Sequence, residues 1–347
     1  MSFEYKVSFA SDNYAPAFPE IIDQLKNISS DHCPAYGADE LSLKAQEKVS
    51  MFCGGAKKVL FTFNGTGANL VSLGLAAHPG SSVLCSEYSH IAVDEGGAPE
   101  ALLGLKLRTL KSADAKIYLK DLEAQRVMDR QTDKHASQVS FISLSMSSEY
   151  GTVYSLQELE EICEWAKKHQ IFVHVDGARI LNAAAYLKQN DLSFLKKAGV
   201  DVLSFGGTKA GLLYGEAVVI WNETLSIHGD YVQKRLLQLS SKMRYISQQF
   251  ISLLEDSLGL ERARFANHLA QELERQLRLI PNLRVTQKVQ ANVVFVELPK
   301  KDLSMIQKKF PFYIWNTQTN EARLMCSWNL TLNDIHNFVN ELKKGVL

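Results

Sequence analysis

The chain carries no surplus of either charge: 38 lysines and arginines stand against 38 aspartates and glutamates in 347 residues. A protein devoted to nucleic acid usually shows a basic excess, so that partner is excluded as the main one, while a few local cations can still hold a small anion. No uninterrupted apolar run approaches the ~18 residues of a membrane span. The segment Met1–Tyr14, with Glu4, Lys6 and Asp12, lacks the apolar core of a secretory signal. Cysteine is sparse: Cys33, Cys53, Cys85, Cys163 and Cys326 are odd in number, scattered and without a C-x-x-C pair. That usage predicts buried free thiols in a reducing cytoplasm. No His, Cys, Asp or Glu cluster has metal-site spacing, so no metal is expected. Low-complexity tracts, charge blocks and repeats are also missing.

What the chain does have is ordinary globular composition, 46% hydrophobic and 22% charged, enough for one large domain or two linked ones. Short β-type runs alternate with amphipathic stretches. The strands expected are Val59–Phe63, Ser82–Cys85, Lys106–Leu110, Val139–Leu144, Ile171–Val175, Val202–Phe205 and Ala217–Trp221. Helical patterns lie at Ala68–Ala77, Tyr118–Met128 and Leu156–His169, the last opened by a capping box from Ser155 to Glu158. This rhythm predicts βαβ units and an α/β fold with a mainly parallel central sheet. Beyond about residue 222 a long helical region runs from Gly229 to Arg278, weakened near Leu258-Gly259. Apolar runs follow at Leu283–Thr286 and Asn292–Glu297, then a helix near Asp302–Lys309. Strands around Phe312–Trp315 and Arg323–Cys326 and a helix from Thr331, capped to Asp334, complete the pattern. The division expected is an N-terminal segment, residues 1–15, a large domain, 16–250, and a smaller C-terminal α+β domain, 251–347.

Three motifs carry chemistry. Asn64-Gly-Thr-Gly-Ala-Asn69 follows a strand and opens a helix, where small residues let backbone amides approach an oxyanion. Alone it reads equally as a plain tight turn, and Leu70 stands where the dinucleotide fingerprint needs its third glycine. In Val173-His-Val-Asp-Gly-Ala-Arg179 an acid, Asp176, ends a buried strand, the usual place for working groups in parallel sheets. Its alternative is simple pairing with Arg179. In Ser204–Gly211 a single lysine, Lys209, sits among small residues at another strand end. It suits Schiff-base chemistry or, taken by itself, a surface loop. Phosphate cup, acid and lysine in that order form the pattern of fold-type I pyridoxal-phosphate enzymes, the aspartate aminotransferase-like fold. There the cup anchors the cofactor, the acid keeps its ring nitrogen protonated and the lysine bonds its aldehyde.

The chain resembles low-specificity L-threonine aldolases of the β-eliminating lyase superfamily. The resemblance runs from Phe9-Ala-Ser-Asp-Asn13 through Ala35-Tyr-Gly-Ala-Asp39 and Ser89-His-Ile91 to Val175–Arg179 and Leu203–Gly211. It continues more weakly from Ser241-Lys-Met-Arg244 to Arg323. Through Asp94–Glu100 and Ser240–Gln248 it looks like the branch related to phenylserine aldolases. The resemblance implies pyridoxal 5'-phosphate as cofactor and retro-aldol cleavage of threonine, allo-threonine or phenylserine to glycine and an aldehyde. Lys209 is then the Schiff-base lysine and Asp176 the partner of the ring nitrogen. Gly65 and Thr66 bind phosphate, and Arg244 reaches a neighbouring subunit's phosphate. His90 stacks on the ring and takes part in removing the hydroxyl proton. Ser11, Arg179 and Arg323 hold the amino-acid carboxylate, with Arg179 also beside the cofactor, and Tyr36 lines the pocket from a neighbouring subunit. A cytoplasmic homo-oligomer with shared sites is implied, either dimer or tetramer.

One departure stands out. Family members carry Asn-Thr-His before the turn matching Gly151–Tyr154, whereas this chain reads Ser143-Leu-Ser-Met-Ser-Ser-Glu-Tyr150. The second imidazole near the substrate is therefore missing, leaving His90, Glu149 or a water for the proton. Rival readings are another amino-acid lyase on the same scaffold, releasing pyruvate and ammonia, and a silent binder of a phosphorylated metabolite.

Overall fold

The computed structural model describes residues 5–28, 30–124, 128–299 and 303–346. Its larger sheet is built from β1 (Lys58–Thr62), β2 (Ser82–Ser86), β3 (Lys106–Leu110), β4 (Val139–Ser145), β5 (Phe172–Gly177), β6 (Val202–Gly206) and β7 (Glu216–Ile220). The order is β1-β7-β6-β5-β4-β2-β3. Pairing is parallel from β3 to β6, while β7 runs antiparallel to both β6 and β1. Reversing one strand between two others leaves β1 pointing the same way as β6. The carboxyl ends of β1, β2, β4, β5 and β6 thus open on one edge of the sheet, where ligands of such folds bind.

Strands β2, β6 and β7 are buried along their whole length, which explains why they read as continuous apolar runs rather than alternating ones. Edge strand β3 is largely half-buried or exposed. The helix Leu156–Lys168 starts at the expected capping box and turns Leu159, Ile162, Cys163 and Ala166 into the core. Each large side chain of that stripe contributes about 1.5–3 kcal/mol through burial. The expected helix Tyr118–Met128 is described only as Leu119–Ala124, since residues 125–127 lie outside the described set.

A second, antiparallel sheet of β8 (Arg284–Val285), β9 (Val293–Glu297), β10 (Tyr313–Asn316) and β11 (Glu321–Met325) has the order β10-β11-β9-β8. Its own core gathers Leu269, Leu273, Val294, Leu324 and Phe338 and takes in Phe9 from the N-terminal segment. The helix Leu258–Leu277 belongs to both bodies, with Leu260 and Ala263 in the larger core and Leu269 onward in the smaller.

Two expectations are corrected. The helical region Gly229–Arg278 is three helices, Gly229–Arg235, Arg244–Leu253 and Leu258–Leu277. The chain turns at Leu237, where no break was expected, and at Asp256 and Ser257, directly beside the weak point expected near Leu258-Gly259; all three have positive φ. Of the five free cysteines, Cys33 is exposed and only the other four are buried. Among the described residues no helix is long and apolar enough to cross a membrane.

Candidate active site

A cavity of about 360 Å³ opens at the carboxyl edge of the larger sheet, lined by Gly65, Thr66, His90, Asp176, Lys209 and Glu216 among others. Five of these stand near the ends of different strands, and register explains the alignment: Ser145, Asp176 and Ser204 lie abreast on β4, β5 and β6. The volume falls within the ~300–1,000 Å³ of ordinary ligand sites.

The turn after β1 becomes the start of the helix Gly65–Gly74, capped by Asn64, whose side chain accepts from Gly67 N at 2.8 Å. Its two glycines do different things. A Cβ at Gly65 would meet nothing within 4 Å, whereas one at Gly67 would come 2.3 Å from Gln238. Gly65 therefore faces open cavity, and Gly67 makes room for packing. This helix start, with a carboxyl and an amine across the cavity, fits a planar phosphate-bearing aldehyde such as pyridoxal phosphate.

Asp176 is buried and held from two sides: Oδ1 accepts from Ala178 N at 3.0 Å and Oδ2 from Asn69 Nδ2 at 2.9 Å. Beneath it His174 is fully buried between the hydroxyls of Ser143 and Ser204, both at 2.9 Å. Burial pushes that imidazole down to about 4, so it forms a neutral floor. Lys209 sits on a short turn after β6. Burial, then the charge of Arg179, hold its ammonium below the usual lysine range, which favours the nucleophilic free amine. The turn is fixed by close approach: a Cβ at Gly206 would lie 2.3 Å from Ala178 O, and one at Gly207 2.3 Å from Gly215 O. Glu216 on β7 accepts from Gly207 N and is pushed up to about 7 by burial.

His90 begins a short helix after β2 with its ring partly open to the cavity. Its Nδ1 lies 2.8 Å from Glu95 Oε1, and its backbone N donates to Glu149 Oε1 at 2.9 Å. The contact with Glu95 is the chief reason its pKa is raised. Glu149 also accepts from Ser145 Oγ at 2.7 Å. Burial pushes Glu149 up to about 7, and it does not line the cavity.

The residues assigned to the substrate carboxylate are placed less uniformly. Arg179 is already gripped by Asp12, with Nε to Oδ2 at 2.6 Å and Nη2 to Oδ1 at 2.9 Å. Burial works to raise the Asp12 pKa, but the guanidinium overrides it and the carboxyl lies below its usual range. Ser11 caps the turn Asp12–Tyr14, its Oγ accepting from Asn13 N. Arg323 donates to Ala10 O at 3.1 Å and rests on the Trp315 ring at 4.9 Å. Its Nε has no partner among the described residues. Burial, then Arg179, push Arg323 down to about 10, so its charge is poorly compensated. Neither Tyr36, 55% exposed, nor Arg244, whose buried Nε also lacks a described partner, lines the cavity.

Sequence reasoning assigned no role to Asp12, Asn69, Glu95 or Glu216. The signal for Glu216 was a lone acid in the apolar run Glu216–Ile220. For Asp12 and Glu95 it was an acid inside a motif already noted. Asn69 closes a motif already noted, but nothing local points to its partners, Asp176 on β5 and Glu95 in the turn before the helix Ala98–Leu103.

Comparison with known proteins agrees with this geometry. A sequence profile of the family described as beta-eliminating lyase matches residues 8–299. A low specificity L-threonine aldolase of a Pseudomonas species is 36% identical over 92% of both chains. Another from Pseudomonas aeruginosa is 32% identical over 98% of both. A solved structure of Leishmania major threonine aldolase superposes with a TM-score of 0.92 at 27% identity, covering 98% of this chain and all of that one.

Proposed function

From the premise that the chain belongs to the beta-eliminating lyase family, we propose that it cleaves threonine and related β-hydroxy-α-amino acids to glycine and an aldehyde, with pyridoxal phosphate as cofactor. The observation that carries this reading is the meeting of helix start, Asp176, Lys209 and His90 around one cavity, in a chain similar over nearly its whole length to proteins named for threonine cleavage.

When bound, the cofactor supplies an electron-withdrawing ring that takes up the electron pair of the breaking Cα–Cβ bond. The chain's residues do the rest. Gly65 and Thr66 hold the phosphate with backbone N–H groups and the helix dipole. Asp176 pairs the ring nitrogen, and Lys209 offers a free amine to the aldehyde. Arg323 takes the substrate carboxylate, since Arg179 is already spoken for by Asp12 and instead supports the site from below. Ser11 sits beside them. His90, the imidazole at the cavity wall, accepts the β-hydroxyl proton. Glu149 is held away from the cavity by its bonds to His90 N and Ser145, which favours His90 over it.

The same reading makes the protein a homo-oligomer in which Tyr36 and Arg244 serve a neighbouring subunit's site. It also puts the chain in the cytoplasm, in keeping with five free thiols. A panel of β-hydroxy-α-amino acids, with threo and erythro forms, tests the reaction. Release of aldehyde and glycine in equal amounts is expected. Release of pyruvate and ammonia instead would move the chain to the β-elimination reading.

A further inference from the structure

Asn69 lies one turn inside the helix whose start forms the phosphate cup, and its amide bridges two acids. Nδ2 donates to Glu95 Oε1 at 2.8 Å and to Asp176 Oδ2 at 2.9 Å. Only the nitrogen end of the amide can face two carboxylates, so the flip of Asn69 is fixed by the network. The same Glu95 oxygen lies 2.8 Å from His90 Nδ1. Glu95 has a side chain with no exposure at all, while the His90 ring is 38% exposed. Two atoms of the bridge, Asn69 Oδ1 and Glu95 Oε2, are buried without a partner among the described residues. A purely structural network is normally satisfied throughout, because each unpaired buried polar atom costs stability. This one spends its bonds on the two groups that face the cavity.

We infer that Glu95 and Asn69 are positioning residues: Glu95 fixes the His90 proton on Nδ1 and leaves Nε2 as the accepting atom at the cavity, and Asn69 locks that pair to Asp176. A carboxylate accepting from one ring nitrogen settles the tautomer and makes the other nitrogen more basic. The raised pKa of His90, caused first by this contact, agrees with it. The groups facing His90 are Glu95 at Nδ1, Glu149 at its backbone N, and Asp176 and Lys209 from the ends of β5 and β6. Among the described residues only Glu95 touches the ring through a hydrogen bond. The inference rests on the aldolase reading for its use and on the geometry for its existence.

The test is nitrogen-15 NMR of histidine rings in the full chain, with and without pyridoxal phosphate, using His90→Asn to assign the His90 signal. In the wild type the neutral ring is expected to carry its proton on Nδ1. Glu95→Gln keeps the acceptor oxygen and loses the charge, so the tautomer stays while the titration midpoint falls toward that of an ordinary histidine. Glu95→Leu loses both. Asn69→Leu removes a donor from Glu95, makes its carboxylate more basic and moves the midpoint up. Aldehyde release by Glu95→Gln is expected to drop in kcat by about tenfold or more, the scale of outer partners that orient a working histidine, with little change in KM. An Nε2-protonated ring in the wild type, or an unchanged midpoint in Glu95→Gln, overturns the inference. Should Glu95→Leu not fold, Glu95→Gln decides alone. The NMR readout holds whatever reaction the enzyme performs, so a failed aldolase assay and a failed positioning role are separate results.

Discussion

The two sets of proposed site residues are held differently. Those proposed for the cofactor, Gly65, Thr66, Asp176 and Lys209, hang from strand ends of one sheet, and their supports are short, buried and internal. Those proposed for the substrate come from separate elements, Arg323 from the smaller sheet and Ser11 from the N-terminal segment, and like Tyr36 and Arg244 they stand outside the lining of the cavity. Rigid scaffolding where the chemistry is common and separate elements where the substrate is chosen is how one fold supports several reactions.

The comparison breaks most sharply at Lys209. Lys209→Ala is expected to bring aldehyde release to background and to abolish borohydride-fixed labelling by pyridoxal phosphate; release at the wild-type rate would end the assignment. Asp12→Ala comes next, because it leaves Arg179 buried and unpaired. Chemical denaturation should show a loss of about 3–5 kcal/mol. Arg323→Gln tests the second set alone: KM should rise roughly tenfold to a hundredfold, the range of one charged hydrogen bond, and kcat should change less.

Glu149→Gln probes the support behind His90 through pH. The folded carboxyl, at about 7 through burial, keeps a proton that the unfolded chain has already lost at lower pH. Stability therefore falls as pH rises from the ordinary carboxyl range to about 7, with a slope on the order of 1 kcal/mol per pH unit. The variant lacks that loss, so thermal melts should favour it at about pH 8 and show the gain shrinking at about pH 5. The smallest effect belongs to Tyr36→Ala. Being 55% exposed, it should leave stability within about 0.5 kcal/mol, and any fall in activity would then point to a neighbouring subunit.

The same contrast explains what was legible in the sequence. Strands such as Val139–Ser145 and Val202–Gly206 announce themselves as largely apolar runs, and the box at Ser155 and Glu158 marks a helix start. Lys209 and Asp176 are legible because each ends such a run. The helix break at Leu237 was not, since the chain turns there with positive φ on a residue that is neither glycine nor proline. Nor was the pairing of Arg179 with Asp12, whose partners lie 167 positions apart. Asn69 is a residue of ordinary helical appearance, and only the fold brings Glu95 and Asp176 to its amide.

The close approach of backbone at Gly206 and Gly207 has a consequence for evolvability. With carbonyl oxygens 2.3 Å from where a side chain would begin, the segment before Lys209 admits almost no variation. Libraries meant to redirect the enzyme toward bulkier aldehydes would be wasted there. Variation at the cup is less confined, since a Cβ at Gly65 would meet nothing within 4 Å.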